Sequence, residues 1–444
     1  MSKKVFLKGT LILACTGLVS RIAGFFYRIF LSHAIGAEGL GLYQLILPLQ
    51  GLMAALSYTG IQSALSRLIA SRLALQEKKE AYFSLVTGIF AAVFFSAVTG
   101  FLLFRHADFF ASTILKAPGT SDLLRLTAAS IPLCAIHSCI DSYYYARKKA
   151  SVPAAVQLSE QAVRIGATYI LYLIFLSEGR PVTAMIAAGG SLAGEAAASL
   201  ISLLMVSFHF GNHPVKEKTS VKIFPLIKDL FTLSFPISLN RILLTLLGSI
   251  EAVLIPQMLI RCGMTSSEAL KIYGIFTGMA LPLLLFPSTL TTSAAVMLMP
   301  SVARMDALGD QKQIRHVTDQ TFFLCMFLGF LCGSGFFLFG PFLGTLLFHS
   351  KTAGTYIRYL SFICPFLYTN TMLTSILQGL GRPGRCLIHS AAGILIRIFS
   401  VVFMIPAIGI RGYFYGIFLG ELLLSLLHVK VLKFPYRQAG DNRL

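Results

Sequence analysis

The sequence predicts an all-α polytopic membrane protein of about twelve transmembrane helices, arranged as two pseudo-symmetric six-helix lobes around a central cavity. Three observations predict it. Hydrophobic residues make up 56% of the 444 positions and charged ones only 12%, with a mean hydropathy of +0.76, well outside the composition of a soluble globular chain. Apolar runs long enough for the roughly 20 residues that a 30 Å hydrocarbon core demands recur along the chain, separated by short basic or Gly/Pro-containing breaks. Finally, landmarks of the first half recur in order in the second.

Taken in order, the first six helices lie near 9–34, 40–70, 82–104, 122–146, 152–176 and 182–209. A polar, basic loop follows over 210–225. Six more helices lie near 226–256, 271–303, 319–347, 355–380, 386–408 and 410–430. The implied organisation is an N-terminal lobe 1–210, a cytoplasmic linker 211–225, a C-terminal lobe 226–433 and a cytoplasmic tail 434–444. Pro132, Pro236, Pro282 and Pro287 interrupt apolar runs, where a missing amide donor creates hinge positions.

Charge fixes the orientation. With the N-terminus inside, the inner segments carry Lys3, Lys4, Lys8, then Arg67, Arg72, Lys78, Lys79, then Arg147, Lys148, Lys149, then Lys216, Lys218, Lys222, Lys228. Arg304, Lys312, Arg315, then Arg382, Arg385, then Lys430, Lys433, Arg437, Arg443 continue the pattern, giving roughly 23 basic residues inside against about 9 outside. Both termini are therefore expected in the cytoplasm of a bacterial cytoplasmic (inner) membrane protein. The net charge of +19 is spread among these loops in small groups, so it describes topology and not a nucleic-acid surface.

Lys3 and Lys4 before an apolar run have the outline of a signal peptide, but the run continues through Arg21 and Arg28 without a small-x-small cleavage site, so it reads as helix one. Tryptophan is absent, and the sixteen Tyr can serve as interfacial anchors in its place. The eight Cys form no CxxC pair and nearly all fall in apolar runs, as small packing residues do.

The internal repeat bears on mechanism. Gly194, Glu195, Ser199 and Leu200 in helix six match Gly420, Glu421, Ser425 and Leu426 in helix twelve. Arg147, Arg164 and Ile165 parallel Arg382, Arg397 and Ile398, and Ser71-Arg72 parallels Ala303-Arg304, at offsets of roughly 225 to 235 residues. Blocks with an even number of helices run the same way through the membrane, and two such blocks can rock to expose a shared site to each side in turn.

A charge within a membrane helix is costly and marks either function or a buried pair. Five arginines qualify: Arg21 and Arg28 in helix one, Arg164 in helix five, Arg241 in helix seven and Arg397 in helix eleven. Arg21 and Arg241 each lie thirteen residues after a cytoplasmic lysine, Lys8 and Lys228, about 20 Å along a helix. Arg28 is two turns beyond Arg21 on nearly the same face, a vertical pair of cations suited to a diphosphate that guanidinium forks can engage. Arg21, Arg28 and Arg241 are accordingly the expected substrate-binding residues. Arg164 with Glu195 and Arg397 with Glu421 are expected as two copies of a buried ion pair, or as coupling groups, and Glu251 in helix seven as a proton or cation site.

No P-loop, HExxH or dinucleotide fingerprint is present, and the nine His show no metal-ligand spacing. The expectation is a transporter with no catalytic residues, no metal and no cofactor, coupled to H+, Na+ or the membrane potential. Two other classes compete. An organic-cation exporter would line its cavity with carboxylates, where helices one and seven offer three arginines and a single acid. A non-transporting scaffold for cell-wall synthesis enzymes would use the basic loop Lys216 to Lys228 as a docking surface.

The segment Ser20, Arg21, Gly24, Phe25, Arg28, followed by Gly36, Ala37, Glu38, Gly39, Leu40, Gly41, Leu42, Tyr43, resembles the opening of the polysaccharide and lipid-linked oligosaccharide flippases of the multidrug/oligosaccharidyl-lipid/polysaccharide exporter superfamily, most closely its sporulation members. The resemblance extends to the Pro236 to Pro256 stretch, to Gln378, Gly379, Gly381 and Arg382, and to the glycine-glutamate motifs. It implies two six-helix lobes forming a V around a cationic cavity, and a cargo of undecaprenyl-diphosphate sugar, an anionic lipid-linked sugar taken from the membrane lipids and in the extreme case the peptidoglycan precursor lipid II. Arg21 and Arg28 match the family's helix-one arginines and Arg241 its second-lobe arginine. Two features depart from it: helix two carries neutral Gln50 and Met53 where lipid II flippases tend to have another arginine, and the chain has twelve helices where many relatives have fourteen.

Overall fold

In hydrocarbon a backbone must satisfy its own hydrogen bonds, so apolar runs of this length become helices. The computed structural model describes residues 3–212 and 223–433, and every regular element among them is helical. The expected linker lysines Lys216, Lys218 and Lys222 and the tail 434–444 lie outside the described residues.

Twelve rods follow one another among the described residues. They are α1 (Lys3–Ala34), α2 (Gly36–Ser57, continued by Thr59–Ala74), α3 (Lys78–Arg105), α4 (Ser121–Ala146), α5 (Ser151–Ser177) and α6 (Met185–Asn212). Then come α7 (Ile223–Arg261), α8 (Ser266–Gly274 to Leu281–Leu285, then Ser288–Ala307), α9 (Gln311–Phe348), α10 (Lys351–Leu360, then Cys364–Gly379), α11 (Pro383–Phe403) and α12 (Ile410–Lys433). Ten stretches among the described residues are long and apolar enough to cross a membrane. The first half of α5, with Glu160, Gln161 and Arg164, is markedly polar, and that polar stretch builds the site described below.

The second helix of each block is not the single rod expected over 40–70 and 271–303. α2 breaks at Tyr58 (φ −127°, ψ −21°), where Gly60 lies so close to α7 that a β-carbon would fall 1.8 Å from Ser238 Oγ. α8 passes through a π turn, Ile275–Ala280, and breaks at Phe286–Pro287. Of the expected hinge prolines, Pro132 and Pro236 sit inside uninterrupted helices and Pro282 in the helical turn after the π segment, whereas Pro287 stands at a break.

By contacts the chain divides into two units, Met1–Ile260 with Met264–Gly278, and Arg261–Gly263 with Met279–Leu444. This cut falls later than the repeat boundary expected at 211–225. The reason is packing: α7 and the start of α8 lie on α2, with Ser249 Oγ donating to Pro48 O at 2.9 Å and Ser267 Oγ to Glu38 at 2.6 Å. Within the first unit the main pairings are α5 with α6, α3 with α4, α4 with α6, and the second piece of α2 with α4. Within the second they are α11 with α12, α9 with α10, α10 with α12, and the last piece of α8 with α10, which is the same set of partners one repeat later.

Candidate functional site

The first unit holds a polar cavity of about 250 Å³ lined by α1, α2, α5 and α6. Gly24, Tyr27, Arg28 and Leu31 line it from α1, a spacing that keeps all four on one side of a helix. Tyr43, Gln44 and Gln50 line it from α2, Gln161 and Arg164 from α5, and Ser191 and Glu195 from α6. Among the described residues Arg28 makes no ion pair, so a half-buried guanidinium faces a cavity whose other charged groups, Arg164 and Glu195, are paired with each other.

Below Arg28 the wall is a network. His137 Nε2 and Glu195 Oε2 share a hydrogen bond of 2.8 Å, and Arg164 lies 3.6 Å from the other Glu195 oxygen while also pairing with Glu160. Arg164 further donates to Gln161 at 3.2 Å, and its carbonyl holds Thr168 Oγ1, which meets Tyr27 Oη at 3.0 Å. Asp141 stands one turn along α4, with Oδ2 3.9 Å from His137 Nδ1. The glycine of the Gly194-Glu195 motif makes this possible, because a β-carbon there would fall 3.0 Å from Glu160 O and 3.1 Å from Arg164 Cβ. Without that close approach of α5 and α6 the arginine and the glutamate would not meet.

The second unit repeats the arrangement. Asn370 Nδ2 donates to Glu421 Oε2 at 2.8 Å, Arg397 reaches Glu421 Oε1 at 3.4 Å, and Gly420 again marks the close crossing, since a β-carbon there would fall 3.0 Å from Gly393 O. Ser425, one turn after Glu421, donates to Asn370 Oδ1 at 2.7 Å.

Of the expected substrate residues, Arg28 lines the cavity. Arg21 is exposed on the same face of α1 two turns earlier, and Arg241 is exposed on α7; neither is part of this cavity's lining. Glu251 is buried, 6% exposed, near Tyr273. Cys134, His137 and Glu195 offer atoms within 4.8 Å of one another, but a metal ion there would have to displace the His137–Glu195 bond and sit beside the Arg164 guanidinium.

Sequence reasoning missed His137, Asp141, Tyr43, Gln44 and Gln161. A signal existed for the first: His137 follows Pro132 by five residues as Asn370 follows Pro365, and Ser142 and Ser375 come five residues further on. The helix-two motif also acquires a cause. Gly41 lets α8 cross α2 in contact, and Tyr43 turns to the cavity.

Residues 6–306 match the family described as "Polysaccharide biosynthesis protein". The chain is 30% identical over 440 residues to stage V sporulation protein B of Bacillus subtilis (strain 168), covering 96% of this chain and 83% of that protein. It is 22% identical over 457 residues to lipid II flippase MurJ of the same organism, covering 96% of this chain and 82% of that protein. Among solved structures, an inward-facing multidrug resistance MATE family transporter of the MOP superfamily superposes with a TM-score of 0.69 at 16% identity, covering 95% of this chain and 97% of that one. A MOP superfamily transporter from Pyrococcus furiosus Vc1 (DSM3638), described as having a binding pocket of reverse polarity, superposes with a TM-score of 0.66 at 16% identity, covering 98% and 99%.

Proposed function

Because this chain belongs to the polysaccharide biosynthesis protein family and is a multi-pass membrane transporter of the MOP superfamily, not an enzyme, we propose that it flips a polyprenyl-diphosphate-linked sugar from the cytoplasmic to the outer leaflet. The observation that carries the reading is Arg28, a guanidinium in a polar cavity with no ion pair among the described residues. A cation of that kind in a membrane lobe is a site for an anion from outside the protein. Arginine keeps its charge when partly desolvated and presents a fork that two phosphate oxygens can occupy. Arg21 and Arg241 extend the cationic path for the diphosphate, and the prenyl tail stays in lipid while the two halves alternate. The protein works in the bacterial cytoplasmic membrane with both termini inside, coupled to H+, Na+ or the membrane potential, beside the enzymes that make and use its cargo.

The fold is equally that of multidrug exporters, and the cavity's charge is what separates the two readings. Arg21→Ala, Arg28→Ala and Arg241→Ala proteins, reconstituted with a fluorescent prenyl-diphosphate sugar, are expected to lose flipping. Unchanged rates in all three would remove the anionic-cargo reading, and expression-dependent ethidium efflux would replace it with cation export.

A further inference from the structure

The two units carry the same triad with one chemical difference. In the second unit Asn370 holds Glu421 at 2.8 Å, and in the first His137 holds Glu195 at the same distance. The repeat places Thr374 and Gly393 where the first unit has Asp141 and Glu160. Orienting a buried glutamate beside an arginine therefore does not require histidine, since asparagine performs that task one repeat away. Histidine adds a second ring nitrogen that can take a proton.

That nitrogen is placed for it. His137 Nδ1 and Asp141 Oδ1 are both buried without a hydrogen-bond partner among the described residues, and Nδ1 points toward the Asp141 carboxylate at 3.9 Å. Facing His137 are Glu195 from α6, Glu160 and Arg164 from α5, and Cys134 and Asp141 from α4, with Tyr58 of α2 bordering Cys134 and Glu195. Three carboxylates and one guanidinium thus lie around His137, with Glu160 and Glu195 on the guanidinium and Asp141 on the ring alone. A proton on His137 offsets part of that excess, whereas the second unit's Arg397–Glu421 pair is already matched in charge. The Arg164 guanidinium beside Glu195 disfavours a metal cation at the same point and leaves a proton as the cation that fits.

We propose that His137, Glu195 and Asp141 form a proton-binding site present in the first unit only, and that its protonation strengthens anion binding in the cavity lined by Arg28 and Arg164. Glu195 belongs to both the triad and the cavity wall, so neutralising its field from behind leaves the cavity more positive in front. Linkage makes the effect reciprocal: an anion in the cavity draws a proton onto His137. The second half of the proposal rests on the anionic-cargo reading; the first half does not.

The test has two arms on full-length protein in nanodiscs. Histidine-labelled nitrogen NMR, with the His137 signal assigned by its loss in His137→Asn, should show the ring passing between neutral and charged forms across the pH range in which the protein stays folded. A ring that stays in one form across that range overturns the proton site. In the second arm farnesyl diphosphate is the probe, and its own titration is common to both proteins. Wild-type affinity should gain about fivefold or more over that of His137→Asn on going from the alkaline to the acidic end, with extra proton uptake on binding in calorimetry. Equal pH dependence in the two proteins overturns the coupling. If the probe binds neither protein at any pH, the anionic-cargo reading fails, while the NMR arm still decides the proton site. His137→Asn should fold, because it installs the hydrogen-bonding chemistry that Asn370 supplies in the second unit.

Discussion

Gly41 of α2 and Gly274 of α8 lie in backbone contact: a β-carbon on Gly274 would fall 2.6 Å from Gly41 N and 2.1 Å from Ala37 O, and one on Gly41 would fall 2.1 Å from Leu270 O. The obstacles are backbone atoms, which cannot swing aside as the end of a side chain can. Gly41→Ala and Gly274→Ala should each lower stability by about 1–3 kcal/mol or more, through forced separation of the two helices. Gly51→Ala is the control, since nothing lies within 4 Å of its added carbon and alanine favours the helix. Thermal unfolding in detergent, followed by loss of the monodisperse peak, reads the difference.

Removing Arg164 leaves Glu160 and Glu195 buried with less compensating charge. Arg164→Met should cost about 3–5 kcal/mol. Adding Glu160→Gln and Glu195→Gln should recover part of that loss, because neutral amides no longer need the guanidinium. A triple variant as unstable as the single one would show that Arg164 acts through packing and not through charge.

Tyr368 is fully buried, and its hydroxyl donates to Leu284 O at 2.7 Å, two residues before the α8 break at Phe286–Pro287. A carbonyl beside a helix break has lost its ordinary partner, and the tyrosine supplies one. Tyr368→Phe should destabilise the protein by about 1–3 kcal/mol with no change in packing volume. Tyr359→Phe, at a residue 46% exposed, should be close to neutral in the same unfolding assay.

Arg28→Lys separates charge from shape. If the guanidinium engages two phosphate oxygens, lysine keeps the charge but not the fork, and flipping should fall roughly 5- to 20-fold, between wild type and Arg28→Ala. Full activity in Arg28→Lys would reduce the requirement to charge alone. Initial rates of leaflet exchange in proteoliposomes measure it.

Arg72 carries a cluster at one end of α2, meeting Glu77 at 3.1 Å, Glu80 at 2.9 Å and Asp229 of α7 at 3.0 Å. Asp229 is 46% exposed at its side chain. Asp229→Asn should therefore change stability by no more than about 1 kcal/mol, and less in high salt. A larger loss would mean that this contact holds α7 in place.

The helices were legible because hydropathy sets the crossings and a lone arginine or glutamate in an apolar run announces itself, as Arg28, Arg164 and Glu195 do. The α8 break was signalled by Pro287, but the α2 break was not, since Tyr58 is neither proline nor glycine and the close packing of the α7 Ser238 on Gly60 is a tertiary contact. His137 was hidden for a related reason. One histidine in a helix has no periodicity, and only its contact with Glu195, 58 positions away in sequence, gives it a role.

By itself the sequence determined a twelve-helix membrane chain made of a duplicated block, because hydrophobic run length and repeated motifs are properties of the chain read in one dimension. Tertiary structure alone decided which charges meet. Whether Arg164 faces Glu195, Arg28 faces a cavity, or a histidine replaces an asparagine behind a repeated glutamate depends on how closely glycine-marked helices approach. Hydrogen bonds and contact ion pairs form only within about 3–4 Å.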